Sequence, residues 1–375
     1  MQPSRPSATY GLPPAPARIS GAQGELLIGT YAGAVDKVDL GPLKGEFGRR
    51  PLDRFIREKE FTYTAVSGVS EDGERVKVVM AITDLGYASS GFVTVFNIDD
   101  KEVLANHSFL GLPGSSDISA EPKEGLQASY NGLFNNARMS LSHPRGARSY
   151  SQHIDIPAGG GQPAVAFDAT FGAGGPPPVT IIAPMIRSGE DRPGGAEMSV
   201  KSQALEGSGI LNVGEKSYRL DSVMASIDYS SGFMNHVTEW LWGSVTGRLE
   251  DGRAFGINMG EGFNDSDPRA NNNLLWVQDN SGEWQIRHLP KLTFEFNPER
   301  PLEPWKVSAD DPTFQVDLEF EPVAMHAEKR NLGIIAADFS QPSGLWKGQL
   351  TDRRTGEMFR FQGADGVAED QYVKW

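Results

Sequence analysis

The chain has 375 residues and a formal net charge of −14, because 49 Asp and Glu outnumber 35 Lys and Arg. A basic face is needed to displace counterions from nucleic acid, so this balance argues against a nucleic-acid partner. The lack of cysteine excludes disulfides, thiolate metal sites and a cysteine nucleophile, and 43 Gly with 25 Pro favour a turn-rich fold over a helix bundle.

The first twenty residues contain five prolines and no apolar stretch typical of a signal peptide. We expect residues 1–20 to form a disordered lead, followed by one β domain at 21–205 and a second at 206–375. No run approaches the roughly 18 apolar residues of a membrane-spanning helix. The sequence therefore predicts a cytoplasmic protein without stable membrane insertion.

Short apolar or alternating runs dominate the rest of the chain. The clearest alternates Phe314, Val316, Leu318 and Phe320 with polar residues, which is the pattern of a half-buried strand. Hairpin-type dipeptides such as Asp72-Gly73 separate many runs. The pattern predicts an all-β antiparallel fold with little helix. Strands are predicted at 76–83, 92–98, 164–171, 179–183, 225–229, 239–245, 274–278, 292–296, 314–320, 332–339 and 358–362, and short helical segments at 52–58 and 368–373.

The C-terminus ends in two aromatic residues, Tyr372 and Trp375. Because an aromatic side chain is costly to leave in water, we expect both to be docked and at least half buried. A short helical turn would carry them, with Glu369 and Asp370 near its start, where negative charge is favoured.

Asp84 interrupts an apolar strand just before Gly86 and Tyr87. It is either an inward-pointing acid at a cavity or a turn residue that accepts backbone N–H bonds, which Asp does well. Asp84 and Tyr87 are therefore candidate substrate-binding residues, with the turn as the simpler interpretation.

The densest group of chemically useful side chains lies at residues 225–262. If 239–244 is a strand, Trp240 and Trp242 share one face and Glu239 lies on the other. The indoles then line either packed core or the wall of an apolar pocket. Indole faces there would stabilise developing positive charge by cation–π attraction.

The same stretch supplies candidate proton donors and acceptors. Asp228 is the first candidate for a general acid and Glu239 the second, because burial can keep a carboxyl group protonated. His236 is a candidate proton relay, and Tyr229 a candidate substrate contact. The alternative is a packed aromatic core with solvated acids on the opposite face.

Glu261 lies in a glycine-rich stretch at 256–262 that precedes no P-loop lysine, so a phosphate cradle is not expected. Glu261 or Asp265 could pair with Glu239 as the two carboxylates of a glycosidase, or Glu261 could contact a substrate. The sequence has no nucleophile-elbow motif, no dinucleotide-binding motif and no histidine spacing typical of a metal site. We therefore predict neither metal nor cofactor.

Several sequence segments resemble those of a known family. They lie at residues 83–96, 227–229, 240–244, 258–265, 275–277, 301–307, 332–350 and 366–375. From about residue 26 to 375 the chain resembles the largely bacterial family called domain of unknown function 2804. One departure follows Asp228, where Ser230-Ser231-Gly232 stands in place of the Arg-Gly common in that family.

That family is remotely similar to lipocalin-like double-domain proteins such as carotenoid 1,2-hydratases and tocopherol cyclases. The resemblance implies two packed antiparallel barrel or half-barrel domains with an apolar pocket between or inside them. One fold hosts many chemistries, so it implies no settled reaction.

Together these observations favour a cofactor-independent enzyme for a hydrophobic, unsaturated small molecule such as a terpenoid, polyketide or lipid. The expected reaction is acid–base hydration, cyclisation or isomerisation at a carbon–carbon double bond. Two alternatives remain at this level: a non-catalytic carrier of an apolar ligand, and a carbohydrate-active hydrolase with a polar groove.

Overall fold

The computed structural model describes residues 11–119, 121–123, 125–186, 193–262, 267–331 and 336–374. Two antiparallel sheets contain almost all of the regular structure. The first, which we call the N-sheet, consists of β1 (Gly29–Ala32), β2 (Glu58–Val69), β3 (Arg75–Asp84), β4 (Ser89–Asn97), β5 (Glu102–Gly111), β6 (Ser116–Ile118), β7 (Gln127–Asn131), β8 (Arg138–Ser142), β9 (Tyr150–Ile156), β10 (Val165–Phe171), β11 (Val179–Ile186), β12 (Pro193–Val213) and β13 (Lys216–Phe233).

The second sheet, which we call the C-sheet, follows without a long connection. It consists of β14 (Val237–Arg248), β15 (Ala254–Glu261), β16 (Leu274–Gln278), β17 (Trp284–His288), β18 (Thr293–Glu295), β19 (Trp305–Asp310), β20 (Phe314–Asn331), β21 (Ala336–Asp352) and β22 (Glu357–Lys374). The prediction of an all-β fold is confirmed.

The two sheets share one topology. Each begins with a four-stranded meander, β2–β5 or β14–β17, and a second run of strands follows. The last strand of that run returns to the first strand of the meander, so β13 pairs with β2 and β22 with β14. The N-sheet curls into a nearly closed barrel whose strand β6 contacts β3, and the C-sheet is a curled half-barrel.

Apolar residues that alternate with polar ones along a strand lie in the core, as the sequence predicts. Phe314, Val316, Leu318 and Phe320 on β20 are all buried in the cluster that fills the C-sheet. A separate and larger cluster fills the N-sheet, with Phe167 and Tyr229 among its members. Each sheet therefore has its own hydrophobic interior, and the space between the sheets is a third environment.

Helix is scarce in the part of the chain that the structure describes. One helical turn, α1 (Asp53–Ile56), lies within the predicted segment 52–58, and a 3-10 turn lies at Gly45–Phe47. Within the described ranges, no helix is long and apolar enough to cross a membrane.

The helical prediction for 368–373 is wrong, because these residues belong to β22. This strand is hydrogen-bonded to β14 on one side and to β21 on the other. Two complete ladders satisfy the backbone better than one isolated helical turn would. Glu369 is therefore a buried strand residue and not a helix-start residue; Tyr372 is 37 % exposed, and Trp375 lies outside the described residues.

The change of sheet does not coincide with the domain boundary proposed near residue 205. Residue 205 lies inside β12 of the N-sheet, and the change of sheet comes between Phe233 and Val237. Of the expected disordered lead, residues 1–10 fall outside the described part. Leu12 and Ile19 are buried in the body of the protein, so residues 11–20 pack against it.

The sheets pack face to face through a layer that we call the seam. Its buried apolar members are Tyr63, Val79, Ala81, Phe96, Ile98, Trp242, Ala324 and Val367. Polar contacts cross it as well: His326 Nδ1 lies 2.8 Å from Asn106 Oδ1, and Lys77 Nζ donates to the Gly366 carbonyl at 2.6 Å. The seam is therefore packed, except where it opens into a pocket.

Candidate active site

A pocket of about 280 Å³ lies at one end of the seam. Both sheets line it, and most of its wall is apolar. The N-sheet and its loops contribute Phe61, Tyr63, Ala81, Thr83, Leu85, Tyr87, Ala88, Ser90, Phe92, Leu110, Lys201 and Asp228; the rest are Trp240, Leu241, Trp242, Asn272, Glu328, Ala336, Ala337, Phe339, Gln341, Glu369, Gln371 and Val373. Leu110 is largely exposed and marks the open side.

The polar groups in the pocket come from corresponding places in the two sheets. In the N-sheet, Asp228 on β13 lies directly opposite Tyr63 on β2. In the C-sheet, Glu369 on β22 lies directly opposite Trp242 on β14. Directly opposed residues point to the same face of a sheet, so each strand junction presents one carboxyl group and one aromatic ring to the pocket.

Asp228 is held by a lysine. Lys201 on β12 is its direct cross-strand neighbour, and its Nζ forms an ion pair with Asp228 Oδ2. Both side chains are almost fully buried. A buried charge needs a partner, and Lys201 supplies the counter-charge for an ionised Asp228.

Glu369 lies in a different environment, because its direct hydrogen-bond partners are neutral. Trp240 Nε1 donates to Oε1 and Gln341 Nε2 donates to Oε2, each at 2.7 Å. Burial raises the pKa of Glu369 to about 7, against the lowering effect of these two bonds; the Asp228 charge raises it further and Lys201 lowers it. Near neutral pH, Glu369 therefore exists in both protonated and ionised forms.

Tyr63 is the second polar group beside Glu369. Its side chain is 7 % exposed, and its ring packs edge to face on Trp242 with ring centroids 5.3 Å apart. Burial, followed by the charges of Glu369 and Asp228, raises the Tyr63 pKa well above its usual value, so the hydroxyl keeps its proton. The Gln341 side chain lies close enough to lower the Tyr63 pKa in part, but neither the hydroxyl nor Gln341 Oε1 has a hydrogen-bond partner of good geometry among the described residues.

Two asparagines fix the Trp242 ring. Its Nε1 donates to Asn258 Oδ1 at 3.0 Å, and Asn258 Nδ2 in turn donates to Asn272. Gly260 makes room for this arrangement, since a Cβ there would lie 2.7 Å from Asn272 Nδ2. The glycine-rich stretch at 256–262 is therefore a close-packed strand that holds a pocket wall.

Four of the residues proposed from the sequence line the pocket: Asp228, Trp240, Trp242 and Tyr87. Trp240 and Trp242 share one face of β14, as its alternation predicts. The ring of Tyr87 lies under Lys59, whose Nζ is 4.5 Å from the ring centroid.

Two further candidates lie outside the pocket lining. Tyr229 follows Asp228 directly in β13, so its side chain points to the opposite face of the sheet, into the N-sheet interior. Its hydroxyl donates to Glu60 Oε1 at 3.2 Å. Asp84 accepts the Gly86 backbone N–H at 2.7 Å, which is the turn interpretation.

The remaining candidates are also elsewhere. Glu239 and His236 are exposed. Strand alternation sends Glu239 to the face opposite Trp240, and Glu239 takes no part in the pocket lining. Glu261 accepts the Phe294 backbone N–H at 3.1 Å and takes no part in the lining. The structure thus does not bring Glu239 and Glu261 together in a groove, and Asp265 lies outside the described residues.

The sequence analysis missed Glu369, Lys201, Gln341 and Tyr63. Glu369, Gln371 and Val373 line the pocket from alternate positions of β22, but residues 367–373 show no apolar–polar alternation that would have marked this strand. No local signal marks Lys201 or Gln341, because their neighbours in the site are distant in sequence. In the described part of the chain, no group of three or more His, Asp or Glu has the geometry of a metal site.

Three solved structures resemble the chain in outline. A Nitrosomonas europaea protein with the provisional name ATTH shares 13 % identity over 88 % of this chain and 98 % of its own, with a TM-score of 0.47. CghA with Sch210972 shares 11 % identity over 95 % of this chain and 97 % of its own, with a TM-score of 0.49. Kievitone hydratase from Nectria haematococca shares 11 % identity over 84 % of this chain and 88 % of its own, with a TM-score of 0.43. Likenesses this distant support no statement about the chemistry of this chain.

No curated protein matches the sequence. A family model, in contrast, covers nearly the whole chain, from residue 15 to residue 375, and so includes both sheets and every polar residue of the pocket. The chain belongs to the family described as domain of unknown function DUF2804.

Proposed function

We propose that this chain is an enzyme that adds to, or rearranges, a carbon–carbon double bond of a hydrophobic small molecule by proton transfer. Glu369 acts as the general acid, and Asp228, held by Lys201, acts as the partner base. The observation that carries the proposal is a buried carboxyl group with neutral hydrogen-bond donors in the wall of an apolar pocket, together with a second carboxylate that is paired with a lysine. Burial raises the pKa of the first, Glu369, to about 7.

The proposed chemistry needs one carboxyl group in its protonated form, as the acid, and the other in its ionised form, as the base. A general acid works best when its pKa lies near the working pH, because it then holds a proton and can still release it. Two carboxyl groups in contrasting environments are the usual way to supply an acid and a base together. Here Glu369 has neutral hydrogen-bond donors, whereas Asp228 has an ammonium partner.

The walls suit an apolar, unsaturated substrate. Phe61, Phe92, Trp240, Trp242 and Phe339 surround the space, and Phe92 and Phe339 meet across the seam with centroids 5.8 Å apart. Aromatic faces stabilise positive charge that develops when a double bond is protonated. Hydration, cyclisation and isomerisation are all open to this arrangement, and the proposed chemistry requires no cofactor.

Deuterium exchange tests the proposal without knowledge of the product. The protein is incubated in D₂O with a panel of terpenoid and polyketide-like alkenes, and carbon-bound deuterium is measured by mass spectrometry. We expect incorporation above the buffer rate for some members, and Glu369→Gln to slow it roughly 10²–10⁴-fold, the usual contribution of a general acid.

Glu239→Gln is the matched control, because Glu239 is exposed on the opposite face of β14 and exchange should be unchanged. Wild-type exchange should fall as the pH rises through about 7, since Glu369 then loses its proton. If the panel binds but no member exchanges above the buffer rate, the pocket is that of a carrier and the proposal is wrong.

A further inference from the structure

The two sheets place proton-bearing groups at the same end of the pocket. The Tyr63 hydroxyl comes from the N-sheet and is buried beside the Gln341 side chain, which lowers the Tyr63 pKa in part, against the larger effect of burial. Among the described residues, this contact does not reach the geometry of a good hydrogen bond. Because the Gln341 contact is poorly aligned, it does not fully satisfy the Tyr63 hydroxyl, and a ligand atom in the pocket can accept its proton with better geometry.

The Glu369 carboxyl comes from the C-sheet and retains bonding capacity. Trp240 Nε1 occupies one position on Oε1, and Gln341 Nε2 occupies one on Oε2. Each carboxyl oxygen has two lone-pair positions, and the donors occupy only one on each. A proton bound at the second position of either oxygen therefore points away from these donors. A protonated Glu369 and Tyr63 can therefore donate to one shared acceptor.

The surroundings restrict what that acceptor is. A carboxylate or phosphate would meet the negative charge of Asp228, and the nearby ammonium of Lys201 is already paired with it. A hydrocarbon would leave the Tyr63 hydroxyl unsatisfied. A carbonyl oxygen is neutral and accepts two hydrogen bonds, and a tyrosine with a protonated carboxylic acid is a known way to stabilise the negative charge that develops on it.

We propose that the substrate is a ketone whose carbonyl is conjugated to the reacting double bond, and that Tyr63 and Glu369 bind its oxygen. This inference rests on the proposed function and narrows its substrate class. Lys201 is a positioning residue, because it holds Asp228 on the side of the pocket from which water or a substrate proton is taken.

Hydration proceeds in two stages, and every proton is returned to its donor or transferred to the product. Glu369 gives its proton to the carbonyl oxygen while a water oxygen bonds to the β-carbon, and that water loses a proton to Asp228. The π electrons shift to form an enol. The enol then returns its O–H proton to Glu369, and Asp228 delivers its proton to the α-carbon, so both carboxyl groups regain their starting states.

Two matched probes test the inference on the full chain. One is (E)-4-phenylbut-3-en-2-one, and the other is the diene in which a methylene group replaces its carbonyl oxygen. Tyr63→Phe should weaken ketone binding about tenfold, the scale of one buried hydrogen bond, and leave the diene unchanged. Tyr218→Phe is the matched control, because Tyr218 is also buried and lies outside the pocket lining.

Two measurements on the wild-type protein keep the inference testable if Tyr63→Phe fails to fold. The infrared stretch of a ¹³C-labelled ketone carbonyl should move to lower wavenumber on binding. Affinity for the ketone alone should fall as the pH rises through about 7. Equal weakening of both probes by Tyr63→Phe, or an unshifted carbonyl band, overturns the inference. Deuterium exchange into simple alkenes would still stand in that case, so the two proposals fail separately.

Discussion

Two buried lysines lie along the seam, and only one of them reaches across it to the other sheet. Lys77 on β3 donates to the Gly366 carbonyl, lies 4.0 Å from Asp365 Oδ1 and takes no part in the pocket lining. Lys201 pairs with Asp228 in the wall of the pocket. Asp365 and Glu369 lie on the same strand, β22, so one strand serves both regions.

Shifted pKa values do not distinguish the two regions. Burial lowers the pKa of Lys77 to about 8 and raises that of Asp365, just as burial raises that of Glu369. The two regions differ in whether a cavity lies beside the charged side chains. Lys77 joins the two sheets outside the pocket, whereas the Lys201 region faces a ligand-sized cavity. A perturbed carboxyl group becomes a candidate catalyst only where a substrate can reach it.

Removing the two lysines is the strongest test of this difference. Lys77→Ala leaves Asp365 buried without its cation, and we expect a loss of about 4 kcal/mol, in the range for breaking a buried pair. Lys201→Ala should cost less, about 1 kcal/mol, because the space beside Asp228 allows it to be hydrated. Urea unfolding at pH 7 measures both, and equal losses would contradict the distinction.

The pH dependence of stability should sharpen the role of Glu369. Its folded pKa of about 7 lies above the ordinary value of 4.5, so the folded state holds a proton that the unfolded state releases. Stability from this group is therefore lost as the pH rises from about 4.5 to about 7, by up to about 3 kcal/mol at 1.36 kcal/mol per unit.

Glu369→Gln should flatten that part of the profile and be more stable than wild type at pH 8. Unfolding free energies at intervals from pH 4.5 to pH 8 measure the effect. Glu60, whose pKa burial also raises to about 7, contributes a similar slope that the variant retains. A variant profile that keeps the full wild-type slope would show that Glu369 is ionised throughout.

The smallest expected effect concerns the wall of the pocket. Asn258→Ala removes the acceptor of the Trp242 indole N–H, and a buried unsatisfied donor costs about 1 kcal/mol. In a Trp242→Phe background the same change should cost less, because that donor is gone, and a double-mutant cycle by urea unfolding isolates the difference. Additive costs would mean that Asn258 supports Asn272 and not the indole.

The fold was predictable because its main signal is local. Alternation along residues 314–320 and hairpin dipeptides such as Asp72-Gly73 need no knowledge of distant strands. The indoles and Asp228 were found for the same reason, since they cluster within a short stretch. Glu369 was misplaced because residues 368–373 show no clear strand or helix periodicity, and only pairing with β14 and β21 decides between a helical turn and a strand.

The rest of the site could not be found from one sequence. Tyr63, Asp228 and Lys201 become neighbours only through pairing of β2 with β13 and of β13 with β12. The opposition of Asp228 to Glu369 depends further on how two sheets pack. Both relations are set by tertiary structure, and no spacing in the chain encodes them.

The shared return of β13 to β2 and of β22 to β14 has a consequence for how the molecule assembles. Val66 pairs with Ala225, and Leu241 with Asp370, so each sheet is joined by partners more than a hundred residues apart. Such pairings are slow to form, because a long loop must be closed before any contact stabilises it. Until β22 arrives, one edge of β14 remains open to other chains. We therefore expect slow refolding with losses that increase with protein concentration, and the acid of the pocket to be among the last groups placed.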